Sequence, residues 1–87
     1  MDFEILPEWF RKSFATLNLH VQPTTFSQLK EMIRPMGLGF DVRYLMGKYR
    51  AYISTSYKNY ITEHETFDGA LRHVLNTLLS KIKNKKI

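Results

Sequence analysis

Arg43, Arg50 and Tyr52 are the residues whose types and spacing promise the most chemistry in this chain. They fall at alternate positions around Gly47-Lys48, so a two-stranded ribbon over residues 38–54 places all three on one sheet surface, with Tyr57 or Tyr60 nearby. Guanidinium groups pair with phosphates while aromatic rings stack on bases, which suits nucleic acid. The same residue types dominate protein interface hot spots. A third outcome is that an N-terminal helix covers this surface and the arginines snorkel past it. Lys81, Lys83, Lys85 and Lys86 form a second basic group, one that ordinarily frays into solvent and makes weak, salt-sensitive phosphate contacts. Trp9 and Phe10 are candidates for self-association if the first helix docks on a second copy.

Other chemistries find little support. His20, His64 and His73 are the three histidines, without HxxxH or HExxH spacing, and Glu63-His64-Glu65 sends neighbouring side chains to opposite faces of a strand. They read as surface or rim histidines, and no metal site is expected. There is no cysteine and no GxSxG, so no nucleophile is set up by sequence. Asp41, Glu63, Glu65 and Asp68 have no spacing that brings two carboxylates together, and solvated strand ends and caps account for them. Gly37-Leu38-Gly39 precedes a strand pattern and therefore stops a helix instead of opening a phosphate loop. No cofactor is implied.

The elements that must position these residues follow from periodicity. Leu6, Trp9, Phe10, Phe14 and Leu17 make an apolar stripe that predicts a helix over about 7–17, with Pro7 suited to its start. That stripe has three destinations: the far face of a sheet, the side of other helices, or a partner subunit. Thr25-Phe26-Ser27-Gln28 fits a capping box for a second helix ending near 34–36, with Gly37 taking the left-handed position beyond it. From Leu38 the period becomes two, predicting a strand, a type II′ turn at Gly47-Lys48 and a return strand to about 55. Residues 60–65 give a third strand. Thr66 caps a last helix, with Phe67, Ala70, Leu71, Val74, Leu75, Leu78 and Ile82 on its apolar face and Asp68 in its first turn.

The order helix, three strands, helix is shared with double-stranded-RNA-binding domains, but the lysine cluster that opens the last helix in that family is replaced here by Thr66-Phe67-Asp68-Gly69, and only Ala70 fits. Phe26-Ser27-Gln28-Leu29, Gly37-x-Gly39-Phe40-x-Val42, Tyr49-Arg50-Ala51-Tyr52-Ile53 and Thr66-Phe67-x-x-Ala70-Leu71 resemble the helix, two strands and helix of small phage-associated α/β/α (ABA-sandwich) domains. The resemblance spans roughly residues 24–80. It implies a phage or mobile-element setting and no site residues.

Eighty-seven residues make one domain, here 1–80 with a basic tail over 81–87. The net charge is +5, of which Lys81, Lys83, Lys85 and Lys86 hold four, leaving residues 1–80 with +1. The folded body is nearly neutral, whereas nucleic-acid-binding domains more often spread Lys and Arg over one folded face. Absence of cysteine, an acidic Met1-Asp2-Phe3-Glu4 start and no apolar run near membrane length predict a soluble cytoplasmic protein. The expectation is therefore an α+β domain with a small antiparallel sheet of about three strands and three helices. Its expected role is a non-catalytic interaction module that binds a protein partner or self-associates, with weak nucleic-acid binding as the alternative; neither membrane nor small molecule is implied.

Overall fold

Side-chain alternation and capping residues divide the chain much as the periodicities require. The computed structural model describes residues 5–17, 19 and 21–85, the last for its backbone. Helix α1 (Glu8–Ala15) and helix α2 (Phe26–Ile33) lead into a 3₁₀ turn (Arg34–Met36), then strands β1 (Gly39–Leu45), β2 (Lys48–Ser54) and β3 (Asn59–His64), and helix α3 (Phe67–Lys85). The strands form one antiparallel sheet in the order β1-β2-β3. The fold is α+β, as expected. Among the described residues, no helix is long and apolar enough to cross a membrane.

Local chemistry explains the boundaries. Thr25 accepts a hydrogen bond from the Gln28 N–H at 3.1 Å and caps α2. The expected reciprocal half of the box differs: Gln28 Oε1 accepts from the Thr24 N–H at 2.8 Å and the Thr24 hydroxyl at 2.9 Å. Gly37 has φ 76°, where a Cβ would be strained. Its N–H reaches the Arg34 carbonyl at 2.9 Å and the Leu38 N–H reaches the Ile33 carbonyl at 3.2 Å, the two bonds of a Schellman motif. Thr66 accepts from the Gly69 N–H at 2.9 Å and opens α3.

The hairpin turn is not where the sequence places it. Leu45 pairs with Lys48, so the two turn residues are Met46 and Gly47, with φ 52° and 82°. Positive φ at both central positions marks a type I′ turn, whose twist matches that of the strands, instead of the expected type II′ turn at Gly47-Lys48. The alternation of faces survives because the strand parity is unchanged. The third strand runs 59–64 in place of 60–65.

The expected tail at 81 is also corrected. Leu78 and Ile82 are buried against the body, which carries α3 as a helix through Lys81 and Lys83 to Lys85. Lys86 and His20 lie outside the described residues.

One sheet face is covered and the other is open. Rows Phe40–Ile53–Tyr60 and Val42–Ala51–Thr62 point toward the helices, where Phe40, Ala51 and Ile53 join Leu29, Ile33, Leu71 and Val74 in the core. Helix α1 packs along α3, which settles its three alternatives in favour of the second. Rows Asp41–Tyr52–Ile61 and Arg43–Arg50–Glu63 therefore face away from the helices.

Candidate functional site: the open face of the sheet

The open face begins as an alternation problem. Side chains two apart on a strand lie on one face, so Asp41 and Arg43 are neighbours, and cross-strand pairing adds Tyr52 opposite Asp41 and Arg50 opposite Arg43. Two like charges directly opposite would repel. Each is instead held by a carboxylate. Arg43 Nε donates to Asp41 Oδ2 at 2.8 Å, and its guanidinium lies 5.2 Å from the centre of the Tyr52 ring. Arg50, half-buried, places Nη2 3.0 Å from Glu63 Oε2. Lys48 Nζ pairs closely with Glu65 Oε2 at the edge of the same surface. That hydrogen bond, and then the opposite charge, push the Lys48 amine above its ordinary range and hold the Glu65 carboxyl below the usual carboxylate range.

Three strand cations therefore meet three carboxylates. The face is a neutral mosaic with Tyr52, Leu45 and Ile61 as its apolar parts, Ile61 being 58% exposed. One polar atom stands apart: Arg50 Nε is buried and has no hydrogen-bond partner among the described residues.

The structure brings together some expected site residues and separates others. Arg43, Arg50 and Tyr52 share the open face, uncovered by α1. Lys81 does not join them; its amine lies 5.7 Å from the ring centre of Tyr60, which pairs with Ile53 and so projects on the covered side. Lys58 approaches the same ring at 5.3 Å. Lys83 is exposed on α3. Lys81 and the arginines thus lie on different sides of the sheet. Tyr57, in the β2–β3 turn, is 96% exposed.

Phe10 is corrected as a self-association residue. It is 0% exposed, stacked 6.1 Å from Phe14 in its own chain's core, and has no surface to offer a second copy. Trp9 is half-buried against that core, beneath the Arg72 guanidinium at 4.5 Å.

Sequence reasoning missed the carboxylate partners Asp41, Glu63 and Glu65, although an acid two residues before Arg43 was a signal for the first. It also missed a cleft of about 370 Å³ on the covered side along the β1 edge, lined by Phe26, Lys30, Phe40, Val42, Tyr44, Tyr49 and Phe67 among others. His64 and His73 come together with ring centres 5.4 Å apart, and His64 Nε2 is 2.8 Å from the Thr62 hydroxyl. Among the described residues, no three side chains of metal-ligating type converge.

No protein-family model matches the chain, and no curated protein or solved structure matches it either.

Proposed function

We propose that this chain is a non-catalytic accessory or interaction module that engages a protein partner through the open face of its sheet. The observation that carries the reading is the internal neutralisation of that face. Phosphate backbones are gripped by unpaired cations that release counterions. Here Arg43 and Arg50 are each committed to a carboxylate at 2.8 and 3.0 Å, and Lys48 to Glu65. What remains for a ligand is shape, exposed apolar area at Ile61 and Leu45, and the Tyr52 ring with its cation. Protein interfaces favour such Tyr and Arg anchors ringed by satisfied polar groups. The placement of Lys81 beside Tyr60 weighs against the alternative, weak nucleic-acid binding by arginines and lysines together. A bacterial or phage-derived protein of the cytoplasm is the setting favoured by the resemblance to phage-associated domains and by the cysteine-free composition.

Affinity capture with the intact chain as bait tests this reading. Proteins retained by the wild type and lost with Ile61→Asp or Tyr52→Ala are the expected result. Identical sets on all three baits would show that the open face is not the contact surface.

A further inference from the structure

We infer that a partner of this chain is a second copy of itself, joined edge to edge through β1 into a six-stranded antiparallel sheet. The inference deepens the interaction-module reading, and rests on it in that Asp41 and Arg43 belong to the same open face.

The starting point is which backbone groups β1 leaves unpaired. In a hairpin with a two-residue turn, the residues flanking the turn exchange hydrogen bonds, and bonded and non-bonded pairs then alternate along the ladder. Leu45–Lys48 closes the turn, so Leu45, Arg43, Asp41 and Gly39 bond inward to β2. Phe40, Val42 and Tyr44 direct their N–H and C=O groups outward. Among the described residues no strand pairs with that edge. The Val42 N–H is met at 3.0 Å by Asp41 Oδ1, a side chain of its own strand. Exposed edges of this kind are templates for pairing unless they are blunted.

The second observation is that β1 is complementary to itself. Phe40-Asp41-Val42-Arg43-Tyr44 reads aromatic, acid, valine, base, aromatic, symmetrical about Val42. A two-fold axis through Val42 sets it opposite its own copy, Phe40 opposite Tyr44 and Asp41 opposite Arg43. The parity is right. Phe40, Val42 and Tyr44, whose backbone groups face outward, meet residues whose groups also face outward, which is what an antiparallel ladder requires. Asp41 and Arg43 then form non-bonded pairs, the kind in which facing side chains stand closest, and their opposite charges lie on the open face. Asp41, which also faces Lys30 at 3.9 Å, exchanges its contacts with Val42 and its own Arg43 for the other copy's guanidinium.

The covered side fits the same register. Tyr44 is 64% exposed although its alternation aims it toward the helices, and its ring rests on Tyr49 at 4.8 Å. The cleft beside it, with Phe26, Phe40 and Phe67 in its walls, lies where the other copy's Tyr44 arrives opposite Phe40. The β3 edge offers no such match: symmetry about Ile61 sets Asn59 against Glu63 and pairs no charges. Shared burial is also what a chain this short lacks on its own.

The test uses charge reversal and mixing, read by analytical ultracentrifugation with circular dichroism as the check on folding. The wild type is expected at about twice 10.3 kDa at micromolar concentration. Asp41→Arg leaves two bases and Arg43→Asp two acids, so each variant alone is expected to weaken the dimer at least tenfold. An equimolar mixture restores both opposite-charge pairs and is expected to recover the dimer. Because the chain has no cysteine, Val42→Cys is a second probe. Directly opposed Cα atoms about 5.5 Å apart lie within disulfide range, so mild oxidation should link Val42→Cys chains and not Ile61→Cys chains. A wild type that stays monomeric at hundreds of micromolar, or a dimer indifferent to both reversals, overturns the inference. Either result leaves Ile61-dependent capture of another protein standing, so the two failures are distinguishable.

Discussion

The two faces of the same three-stranded sheet are built from one alternating sequence and end in opposite conditions. On the covered face, Phe40, Ala51 and Ile53 are buried against α2 and α3, and hydrophobic transfer of roughly 1.5–3 kcal/mol per large side chain holds them there. On the open face, Arg43 and Arg50 stand directly opposite each other and each is balanced by its own carboxylate, Asp41 and Glu63. Burial decides the fold, and charge pairing balances the uncovered side. Neither face substitutes for the other, so perturbations of the first should read out in stability and those of the second in binding.

The largest effect belongs to the covered side. Phe10→Ala empties a fully buried ring position where α1 meets α3, and a loss of about 3–5 kcal/mol in urea melts is expected. A loss under about 1 kcal/mol would mean that α1 is not docked on its own chain. Next in size is Gly37→Ala, which forces a left-handed residue at φ 76° and should cost about 1–2 kcal/mol by the same measurement. Met46→Asn works in the other direction. Met46 occupies a left-handed turn position at φ 52° while 89% exposed, and Asn is favoured at this place in a type I′ turn. A gain of about 0.5–1 kcal/mol is expected, and a loss would contradict the turn assignment.

Open-face changes should barely move stability. Ile61→Asp is expected to shift unfolding by no more than about 0.5 kcal/mol while removing partner capture, which is the sharpest form of the contrast between faces. Smallest of all is Glu65→Gln. Its carboxyl is held low by Lys48, so the pair's contribution is complete above the ordinary carboxylate range and is lost as pH falls through the depressed value. The wild type and the variant should therefore differ slightly near neutral pH and converge in acid or in high salt, since both charges are solvent-screened.

Much of this contrast was legible in the residues. Thr25 and Thr66 announce helix starts because a side-chain oxygen must serve orphan N–H groups, and Gly37 announces a stop because a left-handed residue is needed there. The alternation from Phe40 to Ile53 separated the faces. What was not legible depends on tertiary choice. Met46 is a poor left-handed residue, so local preference pointed to Gly47 as the first turn residue; the turn lies one residue earlier, which shifts the pairing by two and leaves the faces unchanged. The stripe of Trp9, Phe10 and Phe14 looks the same whether it meets a sheet, a helix or another subunit. Ile82 already belongs to the apolar stripe of the last helix in the sequence, and its burial carries that helix past the tail boundary expected at 81. The carboxylate partners of Arg50 and Lys48 come from residues 63 and 65, and only the β2–β3 register brings them near.

Neutralisation of the open face is tested most directly by fluorescence anisotropy of labelled single-stranded RNA and duplex DNA at low salt, with the wild type and the Arg43→Ala/Arg50→Ala variant. The expected result is weak, salt-sensitive binding of equal strength in both proteins, carried by the lysines near the end of α3. Saturable micromolar binding by the wild type that the double substitution abolishes would show that the arginines are free for phosphate, and would contradict the account.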